Sequence, residues 1–518
     1  MKCVVLPVIW LMAATMLLLS DPAQAGNRVL FLAPAASKSH TNFFLGVAKA
    51  LVDNGDEVTM VMPFSRGKKF VREVVLPVDI NDLIPKNIIT SGRTAPMQLF
   101  TKSPTYCANA LATEEAQAVL KENYDVVMLT VFVSDCFLPA IYQMGVPYIM
   151  VSPAGLMGPW FSVAGNPQFT SFIPDVMFSS SENIDISHGL PFFNRMVGTL
   201  SSLATYALMN FYLISSMESA LRSKDLYPAN TPSLHELRHN SSLFLLNSIR
   251  SMESVAQPYV PTVIHAGGIH LHDSNPLSAD LEEWVQGAGE DGFIFFSMGS
   301  AITPSDMPEE FRKMLVKVFG SLKQRVLWKW DLETMEDLPS NVRIGKWLPQ
   351  QDILGHTKLR VFITHGGLHS TMEAIHHGTP VIGLPVMGDQ YLNLKESVSQ
   401  GWGRIIDWNI DEDTLKQVLD DVINSKTMRG EAQRISTFLQ DQIKPPSEVA
   451  TYWVSYVVRH NGAKHLRCPA IKMPWWKLYN VDVWTTVIAV QLLCIYLFCK
   501  MMATCFRCCC RRTKKKVE

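Results

Sequence analysis

One stretch, residues 347–390, constrains the fold of this 518-residue chain more strongly than any other. The run 361–364 is short, apolar and rich in β-branched residues, which is typical of a buried parallel strand. It ends at the His-Gly-Gly turn 365–367, where glycine lets the backbone approach a ligand closely. A helix is predicted over 370–376 and a second apolar strand over 380–384. Together they predict a βαβ unit of a parallel sheet, with an anion site at the helix start.

Polar side chains around this unit indicate a nucleotide-sugar site. Glu373 lies one helical turn after Ser370 and is suited to accept two hydrogen bonds from a ribose diol. Trp347 opens the stretch and offers the flat face of its ring to a base. Asp389 and Gln390 follow the second strand. We therefore expect contacts to base, ribose, diphosphate and sugar within one unit.

The stretch resembles the signature of the UDP-glycosyltransferases. The positions that agree are Trp347, Pro349, Gln350, His356, His365, Gly367, Ser370, Glu373, Gly378, Pro380, Pro385, Asp389 and Gln390. His369 stands where many relatives carry Asn, and both residues can donate a hydrogen bond to phosphate. The resemblance implies a UDP-sugar site formed by Ser300, Trp347, Gln350, His365, Gly367, His369, Ser370, Glu373, Asp389 and Gln390.

The first half of the chain offers a candidate base. A strand is predicted over 28–34 and a helix over 41–53, so His40 lies at the carboxyl end of the strand, where open α/β sheets bind ligands. The resemblance implies that His40 is the general base. The family carries Asp or Glu as its partner, and here that position is Thr130. Asp135 is either a helix N-cap or a substitute partner for His40.

Strands and helices alternate on both sides of a Pro- and Gly-rich stretch, 258–276, which predicts two parallel α/β sheets. The resemblance implies the GT-B architecture of two Rossmann-like domains with a C-terminal transmembrane helix. The expected divisions are a signal peptide (1–25), an acceptor-binding domain (26–260), a linker (261–290), a UDP-sugar-binding domain (291–470), a juxtamembrane aromatic segment (471–482), the transmembrane helix (483–503) and a cytosolic basic tail (504–518).

The two ends of the chain predict its topology. The apolar run 4–19 followed by Ala-Gln-Ala at 23–25 is typical of a cleaved signal peptide. The apolar run 483–499 is, with its flanks, long enough to span a bilayer, and the basic tail 507–518 places its end in the cytosol. The sequence therefore predicts a single-pass type I protein with lumenal catalytic domains.

The last four residues and one sequon refine this expectation. Lys515 and Lys516 resemble the dilysine signal that returns membrane proteins to the endoplasmic reticulum, and a plain basic juxtamembrane tail is the alternative. Asn240 begins an N-glycosylation sequon that is usable in the lumen. Of the lumenal cysteines, Cys107 and Cys136 could form a bridge, which the sequence does not decide.

The region 152–223 is rich in Met and aromatic residues and does not resolve into clean elements. It is consistent with either an adaptable acceptor pocket or an ordinary core. Its apolar part, 196–213, favours a pocket wall or a helix lying on the bilayer over a second span. The acidic run 411–413 is interpreted as the first turn of a helix, so no metal site is predicted.

These features predict an enzyme that transfers a sugar, with inversion, from a UDP-sugar to a hydroxyl of a small lipophilic acceptor, as in detoxification. The Gly-Gly-Leu sequence at 366–368 and His369 resemble the arthropod branch, which favours UDP-glucose and leaves glucuronic acid open. No cofactor is expected beyond this co-substrate, and a homo-oligomer is possible. The net charge of -1 argues against a nucleic-acid surface. The alternative is a non-catalytic membrane protein that binds UDP-sugar or a lipophile, because Thr130 leaves His40 without its usual acid.

Overall fold

The structure, a computed structural model, describes residues 26–83, 95–173, 189–253, 257–300 and 302–514. The expected signal peptide (1–25) and the pair Lys515 and Lys516 lie outside these residues. The chain divides into two units, 1–467 and 468–518.

Within its described part, the first unit contains a seven-stranded parallel sheet in the order β3-β2-β1-β4-β5-β6-β7. Its strands are β1 (Arg28–Leu32), β2 (Glu57–Met62), β3 (Arg72–Val75), β4 (Val126–Thr130), β5 (Tyr148–Ser152), β6 (Phe244–Leu246) and β7 (Val263–His265). The accompanying helices are α1 (Lys38–Asp53), α2 (Ala95–Ala112), α3 (Glu114–Val119), α4 (Leu138–Met144), α5 (Trp160–Ala164), α6 (Phe192–Ala207), α7 (Ile214–Arg222) and α8 (Leu234–Arg238).

The same unit contains a second parallel sheet, six-stranded in its described part, in the order β10-β9-β8-β11-β12-β13. Its strands are β8 (Phe293–Ser297), β9 (Arg325–Lys329), β10 (Val342–Gly345), β11 (Leu359–Thr364), β12 (Val381–Gly383) and β13 (Gly403–Ile405). Its helices are α9 (Ala279–Gln286), α10 (Glu309–Gly320), α11 (Gln350–Leu354), α12 (Leu368–His376), α13 (Gln390–Ser399), α14 (Glu412–Asn424) and α15 (Lys426–Gln440), and α16 (Pro446–Arg459) follows them.

Both sheets are buried on both faces, which explains why their strands are continuous apolar runs rather than alternating ones. In β1, Leu30 and Leu32 enter one core cluster, while Val29 and Phe31 enter another on the opposite face. The strand β8 divides its apolar side chains between two clusters in the same way. The prediction of two Rossmann-like α/β sheets is thereby confirmed.

Helix α1 begins at Lys38, earlier than the predicted residue 41. The side chain of Ser37 caps it by accepting a hydrogen bond from the His40 N–H at 3.3 Å. His40 therefore lies in the first helical turn, not in the preceding loop. The expectation placed it at the correct strand end and was wrong only about the local conformation.

Helix α16 returns to the first sheet. Ala450, Val454 and Val457 are buried in the same cluster as Val29 and Phe31. The range 291–470, expected for the UDP-sugar domain, therefore includes a helix that packs on the other domain.

In its described residues, the region 152–223 contains α5 and one long helix, in which a π-helical segment, Leu208–Leu213, joins α6 to α7. Cys107 on α2 and Cys136 in the 3₁₀ turn Asp135–Phe137 form a disulfide with Cα atoms 5.9 Å apart. The structure thus gives the pairing that the sequence left open.

The second unit contains α17 (Trp475–Leu478) and α18 (Val481–Lys514). The part Val481–Arg507 is long and apolar enough to cross a membrane, and none of its most apolar window is buried. The predicted span, 483–503, lies within this helix.

Candidate active site

A cavity of about 1730 Å³ lies at the carboxyl ends of both sheets. His40 on α1 lines it from the first sheet, and the turn 365–367 lines it from the second. The structure brings every predicted site residue to this one cavity: His40, Asp135, Ser300, Trp347, Gln350, His365, Gly367, His369, Ser370, Glu373, Asp389 and Gln390.

Two glycines make room for the imidazole of His365. A Cβ atom added at Gly299, after β8, or at Gly367, after β11, would lie 2.5 Å from the His365 ring. Burial and the nearby Lys329 lower the pKa of His365 to about 4, so the ring is neutral. Its Nδ1 atom is buried without a hydrogen-bond partner among the described residues. A neutral ring with a free nitrogen therefore lies at the start of α12.

Glu373 is held in place by Gln350. The Gln350 amide donates to Glu373 Oε2 at 2.6 Å and to Ser370 Oγ at 3.1 Å, because α11 begins beside the face of α12 that carries both acceptors. Burial raises the pKa of Glu373 to about 7, although the Gln350 hydrogen bond and the charge of Lys329 oppose this shift. The carboxyl group is thus buried, fixed and close to its midpoint at neutral pH.

Lys329 is a site residue that the sequence reasoning missed. Its Nζ donates to the Gly299 carbonyl at 2.7 Å and lies 5.4 Å from the ring centroid of Trp347, which is 70% exposed. Lys329 ends β9, and a lysine at the carboxyl end of an apolar strand was the available signal. It places a cation beside the predicted diphosphate position.

Asp389 and Gln390 lie at the start of α13. The Gln390 side-chain oxygen accepts hydrogen bonds from the Val386 and Met387 N–H groups at 2.8 and 3.0 Å. Asp389 Oδ2 accepts from the Asn393 amide at 2.9 Å, and burial raises the pKa of Asp389. A sugar contact through Gln390 would use its amide nitrogen, whereas Asp389 supplies an acceptor.

His40 packs against Phe132, with ring centroids 5.2 Å apart. Burial lowers the pKa of His40 to about 4. Its Nδ1 is buried and unpartnered within the described ranges, and the Thr130 hydroxyl faces the Phe132 N–H at 3.5 Å instead. His40 is consequently a neutral imidazole without a carboxylate to orient it.

Asp135 forms an ion pair with Arg238 rather than with His40. Its Oδ1 lies 3.2 Å from Arg238 Nε, both side chains are buried, and the guanidinium carbon lies 4.4 Å over the Trp160 ring. Burial raises the pKa of Asp135, and Arg238 opposes the shift. Across the part of the chain that the structure describes, no hydrogen bond joins Asp135 to His40 Nδ1. Neither earlier interpretation of Asp135, as an N-cap or as the partner of His40, agrees with this buried ion pair.

Asn247, which follows β6, was also missed, and it contacts His369. Its side-chain oxygen accepts from the Gly268 N–H at 3.2 Å, so its nitrogen faces both the Pro153 carbonyl at 3.1 Å and His369 Nε2 at 3.3 Å. Since Asn247 donates, Nε2 of His369 must accept, and the proton of the neutral ring lies on Nδ1. Burial, and the nearby His270 and His40, lower the pKa of His369 well below its usual value.

The acidic run 411–413 is the first turn of a helix, as predicted. The Asp411 side chain caps α14 by accepting from the Thr414 N–H at 2.9 Å. Among the residues that the structure describes, no group of three or more potential ligand side chains could hold a metal ion.

Comparisons with known proteins show similarity to sugar transferases. The sequence model of the family described as UDP-glucoronosyl and UDP-glucosyl transferase matches residues 80–516. UDP-glycosyltransferase UGT5 of Dactylopius coccus is 30% identical over 476 residues, which cover 88% of each chain. The 2-hydroxyacylsphingosine 1-beta-galactosyltransferase of Mus musculus is 29% identical over 474 residues, covering 88% of this chain and 84% of that protein.

A solved structure shares the fold. The calicheamicin glycosyltransferase CalG4 aligns with a TM-score of 0.57 at 14% identity, over 84% of this chain and 99% of that one. At this identity the match concerns architecture alone, and it confirms the predicted GT-B arrangement.

Proposed function

The chain belongs to the family of UDP-glucoronosyl and UDP-glucosyl transferases, and from that premise we propose that it transfers a sugar, with inversion, to a hydroxyl of a small lipophilic acceptor. The observation that carries this proposal is the single cavity that joins the two halves of the reaction. Glu373, Ser370 and His365 line it from the second sheet, and His40 lines it from the first.

The donor is assigned to the second sheet. Trp347 stacks on uracil, Glu373 accepts hydrogen bonds from the ribose hydroxyls, and the N–H groups at the start of α12 bind the diphosphate. His365, Ser370 and the cation of Lys329 support the diphosphate. Asp389 and Gln390 bind the sugar hydroxyls from the start of α13.

The reaction is a displacement at the anomeric carbon. The acceptor oxygen forms the new bond as its proton passes to His40, which burial keeps neutral and able to accept it. The bond between the anomeric carbon and the UDP oxygen breaks, and UDP leaves with the electron pair towards the start of α12. Attack opposite the leaving group converts an α-linked donor into a β-glycoside.

The acceptor side of the cavity is apolar, which supports a lipophilic substrate. The side chains that line it there include Leu156, Trp160, Phe161, Met209, Leu213 and Met217. The mouse relative is named for a sphingolipid acceptor, which is consistent with a substrate of this class. For the donor we favour UDP-glucose, because residues 366–369 resemble the arthropod branch and an insect relative matches over most of the chain. UDP-glucuronic acid is the second choice.

We place the enzyme in the endoplasmic reticulum membrane with its catalytic domains in the lumen. The helix Val481–Arg507 supports an anchor. The Cys107–Cys136 disulfide supports an oxidising compartment for the first unit.

A second candidate function is a non-catalytic binding protein. One observation favours it: His40 Nδ1 has no acidic partner among the described residues. To decide, the full chain is incubated with UDP-glucose or UDP-glucuronic acid and a panel of phenols and steroids, while calorimetry measures UDP binding. A glycoside detected by mass spectrometry supports the enzyme, whereas UDP binding without any product supports the binding protein.

A further inference from the structure

The long helix Phe192–Arg222 has two apolar faces with different surroundings. Its buried side faces the body of the first unit through residues spaced by four, namely Thr205, Met209, Leu213, Met217 and Leu221. Its exposed side carries large apolar residues, namely Phe192, Phe193, Met196, Leu200, Leu203, Tyr206, Phe211 and Tyr212. We call this second set the outer stripe.

The outer stripe is not a scatter of single exposed residues. Phe192, Leu203 and Phe211 are 72%, 60% and 76% exposed, and residues 192, 196, 200 and 203 follow the helical period. Isolated exposed apolar residues are ordinary on soluble proteins, but a continuous apolar stripe marks a surface that contacts something.

The charges on the helix fit a lipid surface. From 192 to 217 the sequence contains one charged residue, Arg195, and no acid. The only acidic residue of the helix, Glu218, forms an ion pair with Arg222 at 2.7 Å. An apolar face flanked by Ser, Thr and Asn, with one cation and no free acid, suits the interface of a bilayer.

The second unit also points to lipid as the partner of the outer stripe. The second unit contains an unburied apolar helix of membrane-spanning length, preceded by the exposed aromatic residues Trp475, Trp476 and Tyr479. The long helix itself would lie on a bilayer rather than cross it, because a third of its most apolar window is buried. Crossing would remove Met209, Leu213 and Met217 from the core contacts that they make.

We propose that the outer stripe rests on the bilayer surface and that the helix forms the wall past which a membrane-dissolved acceptor enters the cavity. Thr205, Met209, Leu213 and Met217, on the buried side of this helix, line that cavity. A single helix thus has lipid on one side and the acceptor site on the other. The inference rests on the proposed function for its substrate, but the membrane contact stands on the helix alone.

The contact is tested with the full chain in vesicles of phosphatidylcholine and phosphatidylserine that contain a phosphatidylcholine with a photoreactive acyl chain. After illumination, mass spectrometry should locate lipid adducts on peptides from 192–213 as well as from 481–507. Adducts confined to 481–507 would overturn the membrane contact, whether or not the protein is an enzyme.

The entry route is tested with two acceptors that share one nucleophile: phenol in water and 4-dodecylphenol dissolved in the vesicles. The triple variant Leu200→Gln, Leu203→Gln, Phe211→Gln should raise KM for dodecylphenol roughly five-fold, equivalent to about 1 kcal/mol. Its KM for phenol and its UDP affinity should match those of the wild type. Since these residues are exposed, the variant is expected to fold.

Ile443, which is fully exposed and lies off the stripe, provides the matched control. Ile443→Gln should change neither acceptor's KM. Equal KM changes for both acceptors in the triple variant would overturn the entry route. Absence of transfer by the wild type to both acceptors, with UDP-glucose and with UDP-glucuronic acid, would instead contradict the proposed function, and the photolabelling result would still decide the contact.

Discussion

His40, the base of the proposed mechanism, has a pKa that burial lowers, and its Nδ1 has no carboxylate partner among the described residues. Its lowered pKa, about 4, keeps the imidazole neutral through the physiological pH range. His40→Ala should reduce transfer to a phenolic acceptor by at least about 100-fold, the usual contribution of a general base. UDP affinity measured by calorimetry should not change, because the proposed donor contacts come from the second sheet. Full activity of His40→Ala would show that the base assignment is wrong.

Thr130→Asp provides the complementary variant. The hydroxyl of Thr130 accepts from the Phe132 N–H at 3.5 Å. An Asp at this position would place a carboxylate where the site now has a neutral hydroxyl. It should raise the rate or leave it unchanged, because a nearby anion stabilises the imidazolium that forms during attack.

The proposed contact between Glu373 and the ribose predicts that UDP binding depends on pH. Burial raises its pKa to about 7, and a ribose diol is bound best by the carboxylate, which can accept through both oxygens. UDP affinity should therefore be highest above pH 7, where Glu373 is ionised, and should fall as the pH drops through 7. Glu373→Gln should weaken binding by about 1–3 kcal/mol at pH 8 and remove this component of the pH dependence. Calorimetry from pH 6 to 8 with the wild type and Glu373→Gln separates the contribution of Glu373 from the titration of UDP itself.

Asn247 sets the tautomer of His369, although it lies on the opposite sheet. Asn247→Asp would place an acceptor where Nε2 now receives a hydrogen bond, which favours protonated His369. UDP affinity of this variant should gain a pH dependence near the usual histidine range, whereas the wild type should show none from His369. Asn247→Ala, which only removes the hydrogen bond, is the control without a new charge. An identical pH profile for all three proteins would contradict this role.

At the residue scale, most residues of the proposed donor site could be named from the sequence because one βαβ unit contains them, and the structure places them in one cavity. Lys329 and Asn247 were not predicted, because they lie at the ends of other strands, which are far from this βαβ unit in the sequence. Asp135 was misread for the same reason: its partner, Arg238, lies on α8. Contacts of this kind follow from the packing of elements rather than from local spacing.

At the element scale, the turn after β8 leaves the space that the His365 ring, in the turn after β11, occupies. Gly299 has a positive φ of +77°, and an added Cβ would clash with the His365 ring. Gly299→Ala should therefore displace His365 and weaken UDP binding, as measured by calorimetry. Gly289 has a similar φ, +58°, but open space around it, so Gly289→Ala is the matched control.

Both substitutions should cost about 1 kcal/mol of stability through backbone strain, because an L side chain disfavours this conformation. Gly299→Ala alone should lose UDP affinity as well. Equal UDP affinity in the two variants would contradict the argument that the glycine makes room for the imidazole.

The predicted strands 28–34 and 361–364 correspond to β1 and β11, because each apolar run stands out clearly from its surroundings. The three-residue strands β7 and β13 are too short to show a period. The helices of the region 152–223 could not be predicted from the sequence, because the long helix is apolar on both sides. A pattern that identifies a helix by one apolar face fails when the other face is apolar too.

At the scale of the whole molecule, the two sheets are connected by more than the linker. The chain crosses to the second sheet after β7 and returns with α16, whose Val454 and Val457 pack in the first core. The cavity consequently lies between two domains that the chain joins twice. His40 lines this cavity from the first sheet, and its Nδ1 makes no hydrogen bond to any residue that the structure describes.

The membrane topology gives the last prediction. In the topology proposed above, the helix Val481–Arg507 is the anchor, the catalytic body is lumenal and only the end of the chain is cytosolic. Protease added to sealed microsomes should then remove a short basic tail and leave the body intact until detergent is added. Digestion of the body without detergent would contradict this orientation. Replacing both Lys515 and Lys516 by Ser should release the protein from the endoplasmic reticulum, and unchanged retention would favour a plain basic tail.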